Sequence, residues 1–378
     1  NLAALYSVKT VKSVVSLHPP PALMAFHVIR GFFSRPLPIP PVSCYPSLSM
    51  HEIRQNKVTK EWVIFSTARG KRPHDYRAGV PQRDIPSHDT GCPFCPGNEE
   101  RLGDIILEVP SENEHGFQCR VIPNKYPALS PDVGTARSMD GIYLAMPGYG
   151  KHEVIIESPY HDRDLALMEE RELELVVDTY LRRFSELLDD SRNMMVLIFR
   201  NHGARAGASL IHPHAQIIAT GMVPNAIRFR DQEAQRYFDE WHRCVFCDVL
   251  AFELDDGRRV VYKNADFLAF VPYAAEVPYE IWIMPMEHQA SFGSLSQPQA
   301  ASLTDALGKV LRRLCQKFGD LDYNFVIHSS VRYKTDEPQL HWYLQVRPRL
   351  STMAGFELGS HIHINTVLPE ESAAFLNG

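Results

Sequence analysis

The stretch IHPHAQ, residues 211–216, places two histidines and a glutamine at every second position between apolar neighbours. Side chains alternate between the two faces of a β-strand, so the pattern predicts a strand with His212, His214 and Gln216 on one face. A strand face that packs into a core carries apolar residues, and three adjacent polar groups therefore indicate a site. The alternative is a half-solvated edge strand with incidental histidines, which Pro213 favours.

A second copy of this pattern, LHWYLQV at residues 340–346, argues against the edge strand. It keeps the first histidine and the glutamine, but Tyr343 replaces the second histidine. Three further pairs of segments match in the same order: CPFC at 92–95 with CVFC at 244–247, HEVIIESPYH at 152–161 with YEIWIMPMEH at 279–288, and LRRF at 181–184 with LRRL at 311–314. The matched histidines and the LRR segments are offset by 127 to 130 residues, which predicts a duplicated unit.

Each copy offers two cysteines and two histidines, a ligand set that suits tetrahedral zinc. The first set is Cys92, Cys95, His161 and His212, and the second set is Cys244, Cys247, His288 and His341. The spacing is not that of a nucleic-acid finger. A lone CxxC is also compatible with a redox pair or with two buried thiols, but duplication with matched histidines favours metal. Four protein ligands leave no open position, so two structural zinc ions are predicted and His214 stays free for chemistry.

The composition is that of an ordinary globular protein, with 44% hydrophobic and 22% charged residues. A length of 378 residues predicts two domains. The net charge of −6 argues against a nucleic-acid-binding protein, although a local basic patch can still hold an anionic substrate. The sequence contains no run of about 18 apolar residues, so no membrane span is predicted. Nothing in the cysteine pattern suggests disulfides, so a reducing, cytoplasmic location is predicted.

Residues 1–49 are predicted to be a non-globular leader, because they contain no Asp or Glu and are rich in Ser and Pro. Such a segment is typical of an organelle transit peptide. If translation starts at Met50, residues 1–49 are instead an artefact of upstream translation. The remaining chain is predicted to form an N-terminal catalytic domain over residues 50–225 and a C-terminal domain over residues 226–378.

Secondary-structure patterns fit the duplication. Helical periodicity predicts one amphipathic helix over 168–188 and another over 297–318. Apolar runs predict strands at 62–65, 119–123 and 194–199, and the Gly- and Pro-containing segment 131–150 is predicted to be a loop. Strand-rich units with one covering helix each indicate an α+β fold class.

Several segments resemble the galactose-1-phosphate uridylyltransferases, a family of the histidine-triad superfamily, over roughly residues 50–378. The segments are WV at 62–63, RGKRP at 69–73, CPFC at 92–95, NKYP at 124–127, SPYH at 158–161, the segment 203–216 and GFE at 355–357. The resemblance implies tandem histidine-triad-like units, each an antiparallel sheet with a covering helix. It also implies ping-pong uridylyl transfer between UDP-glucose and galactose-1-phosphate in galactose metabolism, by a homodimer whose partner contributes to the sugar pocket.

Side-chain chemistry and the resemblance together predict the roles at the site. A neutral imidazole nitrogen of His214 would attack the α-phosphorus and form a uridylyl-histidine, while Gln216 would hold a phosphate oxygen. Side-chain and backbone chemistry predicts phosphate contacts from Arg69, Arg72, Gly207 and Ser209. The resemblance implies that Asn124 and Asn201 line the nucleotide and that Phe356 and Glu357 line the sugar phosphate.

Two alternatives stay open from the sequence. A related plant branch that shares the Gly-Phe-Glu form of residues 355–357 acts as an ADP-glucose phosphorylase, with ADP-glucose and phosphate as substrates and an adenylyl group on the same histidine. The other alternative is a non-catalytic, zinc-stabilised nucleotide-binding protein, against which the intact His214 and Gln216 argue. Because Tyr343 cannot replace the nucleophile, the second unit is predicted to complete the fold and to lend the sugar-side wall.

Overall fold

The computed structural model describes residues 51–68 and 84–378. The chain divides into a unit of residues 1–47 and a unit of residues 48–378, and every described residue lies in the second unit. The predicted leader and the predicted phosphate ligands Arg69 and Arg72 lie outside the described residues. Within the described ranges, no helix combines the length and the apolar character that a bilayer crossing requires.

The described residues form groups of consecutive strands that are separated by helices. The strands are β1 (His51–Gln55), β2 (Trp62–Ser66), β3 (Leu107–Pro110), β4 (Phe117–Pro123), β5 (Ser138–Asp140), β6 (Tyr143–Ala145), β7 (Gly150–Ile156), β8 (Met195–His202), β9 (His214–Thr220), β10 (Val260–Lys263), β11 (Phe267–Phe270), β12 (Ile281–Pro285), β13 (Tyr323–His328), β14 (Tyr343–Pro348) and β15 (His363–Asn365). The helices are α1 (Glu170–Asp189), α2 (Asn225–Trp241), α3 (Val245–Asp256), α4 (Gln297–Phe318), α5 (Gly355–Ser360) and α6 (Pro369–Asn377).

Ten of these strands form one antiparallel sheet that runs through both repeats, in the order β10-β11-β12-β14-β13-β8-β9-β7-β4-β3. The order is symmetric about its centre, because β8 and β13 pair with each other and the remaining strands follow outward in matching order. The duplication therefore appears as two five-stranded half-sheets joined edge to edge. This arrangement confirms the predicted α+β class. The domain boundary proposed at residues 225 and 226 stays a prediction.

The helices α1 and α4 cover one face of this sheet and share a single apolar core. Both helices follow the predicted periodicity, and α1 buries Leu173, Val176, Val177, Tyr180, Phe184 and Leu187. Burial of each such side chain contributes about 1.5–3 kcal/mol. Ala215, Ile217 and Ala219 alternate along β9 toward this core and are fully buried. The opposite face of β9 is thereby left for His214, Gln216 and Ile218.

The structure corrects three sequence predictions. The strand starts at His214, so His212 and Pro213 precede it. The segment 131–150 is not a plain loop, because it contains the short hairpin β5–β6. The ungapped match of His152 with Tyr279 is one residue out of register: Val154 lies opposite Gln216, whereas Trp282 lies opposite Gln345. A one-residue slip exchanges the two faces of a strand. The offset between the halves is 128 residues at Val154 and Trp282 but 127 residues at His161 and His288, so the irregularity lies between Trp282 and His288.

Candidate functional site

The four predicted ligands of the first metal group meet on the sheet face that α1 does not cover. Cys92, Cys95, His161 and His212 are all buried, and their ligand atoms lie within 4.8 Å of one another. Cys95 Sγ lies 3.4 Å from Nδ1 of His161 and 3.5 Å from Nδ1 of His212. The other ring nitrogen of His212 donates to the carbonyl oxygen of Ser158 over 2.8 Å. This hydrogen bond fixes the tautomer that turns Nδ1 toward the thiols.

The second group repeats this geometry in the other half. Cys244, Cys247, His288 and His341 have ligand atoms within 4.8 Å of one another. Cys247 Sγ lies 3.3 Å from Nδ1 of His288 and 3.6 Å from Nδ1 of His341. His341 donates from Nε2 to the carbonyl oxygen of Pro285 over 3.0 Å. Each group therefore has one imidazole that is oriented by a backbone carbonyl oxygen.

Both donor sets fit a tetrahedral metal ion. Zinc bonds of about 2.3 Å to sulfur and about 2.0 Å to nitrogen place the two donors about 3.5 Å apart at a tetrahedral angle. The observed sulfur–nitrogen distances of 3.3 to 3.6 Å match this separation. Burial lowers the pKa of His212 to about 4, so its ring is neutral, as metal binding requires. Each group can hold one metal ion.

The orientation of His214 leaves one ring nitrogen available. Its Nδ1 donates to the backbone carbonyl oxygen of His212 over 2.8 Å, so Nε2 carries the lone pair. That Nε2 has no hydrogen-bond partner among the described residues. The ring of Phe94 meets the imidazole edge-on at 5.5 Å, and the side chain is only 6% exposed. Burial, partly offset by the bond to His212, lowers the pKa of His214, which favours the neutral, nucleophilic form.

Gln216 lies on the same face, one pleat further along β9. Its Oε1 lies 2.8 Å from Nε2 of His152 on the neighbouring strand β7. Its amide nitrogen has no partner among the described residues. The predicted nucleotide ligand Asn124 is close by, with Nδ2 located 3.1 Å from the same nitrogen of His152 and Oδ1 accepting from the backbone N–H of Tyr126 over 2.9 Å. The structure thus brings His214, Gln216 and Asn124 to one face.

The loop of residues 203–209 leads from β8 toward β9 and is held by the second half. Gly203 has a φ of 83°, and a Cβ there would lie 2.1 Å from Oδ1 of Asp322. Oδ2 of Asp322 accepts from the backbone N–H of Arg205 over 2.7 Å. Only glycine allows the loop to approach β13 so closely.

The second half also holds this loop through Asn324. Its Nδ2 donates to Oδ1 of Asn201 over 2.7 Å and to the carbonyl oxygen of Ala206 over 2.9 Å. The N–H of Gly207, a predicted phosphate ligand, donates to the carbonyl oxygen of Ala204 over 3.0 Å. Gly207 therefore shapes the turn rather than offering a free N–H. Ser209 is exposed.

Phe356 and Glu357 lie elsewhere in the fold. They belong to α5, which leads into β15 in the small sheet β1-β2-β15. That sheet packs on Ala274, just past β11, and five strand spacings of about 4.8 Å separate β11 from β9. None of the described hydrogen bonds or ring contacts joins either residue to His214. Phe356 is 50% exposed, so its ring is open to a neighbouring molecule.

A buried ion network supports the site from the helix-covered face. Arg200, which is 1% exposed, donates to Glu157 over 2.8 Å and to Asp164. His202 bridges two carboxylates, with Nδ1 at 3.2 Å from Asp164 and Nε2 at 2.9 Å from Asp320. Burial lowers the pKa of His202, but the two carboxylates outweigh it and raise the pKa to about 9. The base of the loop is therefore held by a charged histidine.

The second half carries Tyr343 where the first half carries His214. Trp282 stacks on its ring at 4.3 Å and His328 stacks on it at 4.6 Å. Both ends of Gln345 are engaged, because its Oε1 lies 2.9 Å from His328 Nε2 and its amide nitrogen donates to Glu280 over 2.6 Å. The position that corresponds to the nucleophile is filled by aromatic rings.

Sequence reasoning missed four contributors to the site: His152, Phe94, Asp322 and Asn324. Phe94 lies between the two cysteines of the first CxxC, and Phe246 takes the same place in the second copy, where it lies 6.0 Å from Tyr343. This recurrence was a usable signal. The other three residues act through contacts between strands that are distant in sequence.

The fold is a pair of matching half-sheets, each with a Cys2His2 group, and the first half also presents the unpartnered imidazole nitrogen of His214. The sequence model of the N-terminal domain of galactose-1-phosphate uridyl transferase matches residues 46–224, and that of its C-terminal domain matches residues 230–363. The chain therefore belongs to the galactose-1-phosphate uridyl transferase family, which is a family of transferases.

Two relatives represent two of the activities named among the similar proteins. An ADP-glucose phosphorylase of Arabidopsis thaliana is 34% identical over 85% of this chain and 91% of its own length. A galactose-1-phosphate uridylyltransferase of Thermotoga maritima is 29% identical over 86% and 97%. A crystal structure of an Arabidopsis thaliana ADP-glucose phosphorylase with bound ADP-glucose matches with a TM-score of 0.74 at 31% identity, and the match covers 87% of this chain and 98% of that chain.

Proposed function

We propose that the protein transfers a nucleotidyl group from a nucleoside diphosphate hexose through a covalent nucleotidyl-histidine at His214. The observation that carries this proposal is the hydrogen bond from Nδ1 of His214 to the carbonyl oxygen of His212. It directs the lone pair of Nε2 away from the protein backbone and stabilises the cationic ring that forms on attack.

The transfer has two displacement steps. Nε2 attacks the α-phosphorus, the bond from that phosphorus to the bridging oxygen breaks, and the hexose 1-phosphate leaves with the electron pair. A phosphate oxygen of the second substrate then attacks the same phosphorus, and the phosphorus–nitrogen bond breaks. The imidazole keeps its Nδ1 proton throughout, so the histidine is regenerated. The unpartnered amide nitrogen of Gln216 is suited to donate to a non-bridging oxygen in both steps.

The two metal groups have a structural role in this proposal. Each has four protein ligands, so zinc bound there has no open position for substrate. The first group orders the backbone of His212, whose carbonyl oxygen holds His214. Zinc when bound would supply cross-linking of distant strands, and the transfer itself belongs to His214 and its neighbours.

The first candidate activity is uridylyl transfer between UDP-glucose and galactose-1-phosphate, with a role in galactose metabolism. The family models and the relative of Thermotoga maritima support it. The second candidate is ADP-glucose phosphorolysis, in which inorganic phosphate accepts an adenylyl group. The higher identity to the Arabidopsis thaliana enzyme, 34% against 29%, favours it. Both use the same histidine and differ in the base that the site accepts and in the second substrate.

The sugar side of the site is proposed to be completed by a second copy of the chain. Phe356 and Glu357 are predicted to contact the sugar phosphate, yet they lie on a helix away from His214 in their own chain. The exposed ring of Phe356 is available to a partner protomer. A homodimer would supply these residues in trans.

A cytoplasmic location is proposed from the cysteines, since none of the six cysteines in the described part of the chain forms a disulfide.

The test is incubation of the purified protein with UDP-glucose or ADP-glucose, each labelled at the α-phosphate, followed by denaturation and counting of protein-bound label. If UDP-glucose labels the protein and galactose-1-phosphate then removes the label, the first candidate activity is supported. If ADP-glucose labels the protein and inorganic phosphate removes the label, the second candidate is supported. No label from either nucleotide, combined with measurable nucleotide binding, would overturn both and support a non-catalytic binding protein.

A further inference from the structure

His152 lies beside Gln216 and takes no part in the two proposed displacement steps. It belongs to β7, where Val154 is directly opposite Gln216, so His152 is the diagonal neighbour on the same sheet face. Its two ring nitrogens have different partners. Nδ1 accepts from the backbone N–H of Ala128 over 3.2 Å, and Nε2 lies 2.8 Å from Oε1 of Gln216.

The contact with Ala128 determines the tautomer of this histidine. A backbone N–H is always a donor, so Nδ1 of His152 must hold a lone pair and Nε2 must hold the proton. The amide nitrogen of Asn124 is 3.1 Å from the same Nε2, but it cannot donate to a protonated nitrogen. The single proton on Nε2 is therefore donated to Oε1 of Gln216, which is the nearer group.

We propose that His152 is a positioning residue that holds the amide of Gln216 with its oxygen turned inward and its nitrogen turned toward the phosphate. The inference rests on the proposed function, in which that nitrogen donates to a phosphate oxygen. A rotated amide would present its oxygen to an anionic phosphate, and the two would repel each other. Because His152 holds the amide in one orientation, the entropy cost of ordering this group does not add to the barrier in each turnover.

The second half provides the contrast. There Gln345 also accepts from a histidine, but that histidine is His328 on the opposite neighbouring strand, and Glu280 takes the place of His152. Glu280 accepts from the amide nitrogen of Gln345, so the donor is consumed within the protein. The half that keeps the nucleophile thus has a donor on the β7 side of its glutamine, whereas the half without it has an acceptor.

The test compares single-turnover formation of the nucleotidyl-histidine in four proteins: wild type, His152→Ala, His152→Gln and Gln216→Ala. We expect His152→Ala to slow adduct formation about 10- to 100-fold with less than about a threefold change in nucleotide Kd. His152→Gln places an amide N–H near the former Nε2 and should recover most of the rate. It removes the acceptor for Ala128, so a residue that only anchors that loop would not be rescued.

A double-mutant cycle completes the test. If His152 acts through Gln216, then His152→Ala should slow adduct formation less than about threefold in the Gln216→Ala background. The control is His51→Gln on β1, which should leave the rate unchanged. Full additivity of the two substitutions, or failure of His152→Gln to exceed His152→Ala, would overturn the inference. Failure of wild type to form an adduct would instead overturn the proposed function.

Discussion

Around His214, the first half leaves the imidazole Nε2 and the Gln216 amide nitrogen without partners among the described residues. Around Tyr343, the second half stacks two rings on the tyrosine and uses both ends of Gln345. The two half-sheets have the same strand order and matching metal groups. The framework is therefore the same in both halves, and the two halves differ in a few side chains on one sheet face.

The second half has kept a different task. Through Asp322 and Asn324 it holds the loop that precedes His214, and this hold needs a glycine at position 203. The pairing of β8 with β13 brings these residues together. The second half thus positions the loop that leads into the proposed nucleophile of the first half.

The largest effect is expected from His214. His214→Ala should lower the rate of nucleotidyl transfer by at least about 10⁴-fold, because it removes the attacking atom, while secondary structure and metal content stay unchanged. Tyr343→Phe is the matched change in the second half and should cost less than about threefold. Added imidazole should restore part of the activity of His214→Gly. Equal losses from the two substitutions would end the distinction between the halves.

Substitutions in the two metal groups should affect stability equally but the rate of adduct formation differently. Metal analysis of the dialysed protein should find about two zinc ions per chain. Cys92→Ser and Cys244→Ser should each remove one ion and lower the free energy of unfolding by several kcal/mol. Only Cys92→Ser should also slow adduct formation, because the first group orders the carbonyl that holds His214. A metal-free protein of unchanged stability would contradict the structural role of both groups.

The ion network behind the loop predicts a pH dependence of stability. The pKa of His202 is about 9 in the folded protein, above the value of about 6.5 in an unfolded chain. Its contribution, on the order of 3 kcal/mol at most, is therefore fully present below pH of about 6.5 and is lost as the pH rises through about 9. The free energy of unfolding should fall over this window in wild type and in His51→Gln but much less in His202→Gln. Parallel curves would exclude the charged form of His202.

The anchoring of the loop by the second half should have a smaller effect. Asp322→Ala removes the acceptor for the N–H of Arg205 and should cost about 1–3 kcal/mol of local stability. We expect a roughly tenfold slower transfer. The exposed Asp336→Ala in the same half is the control and should behave as wild type. Hydrogen exchange at residues 203–209 should rise in the first variant only, and unchanged exchange there would refute the anchoring.

The smallest effect is expected from Tyr343→His, which tests whether the tyrosine alone makes the second half differ from the first. Tyr343→His restores a histidine at the position of the nucleophile in the second half, yet it should add no second nucleotidyl adduct. Glu280 still consumes the amide nitrogen of Gln345, and Trp282 still covers the ring. Mass spectrometry should therefore find one adduct per chain in this variant. Two adducts would mean that the single tyrosine is all that silences the second half.

The two Cys2His2 groups could be predicted because their pattern recurs and because a CxxC pair is local in sequence. The strand register could not be predicted, because the offset between the two halves changes by one residue between Trp282 and His288 and the sequence match looks better without a gap. The roles of His152, Asp322 and Asn324 depend on side chains that meet across strands over long sequence separations. Placement of Phe356 far from His214 also follows from the small sheet, whose pairing of β15 with β2 has no local signal.

The proposed mechanism depends on His214 as the carrier of the nucleotidyl group. To test it, the wild-type protein is incubated with labelled nucleotide sugar and quenched under alkaline conditions. It is then digested, and the modified residue is located by mass spectrometry. We expect one acid-labile, base-stable phosphoramidate on His214 and none on the peptide that contains Tyr343. Modification of another residue, or rapid transfer in the absence of any adduct on His214, would contradict it.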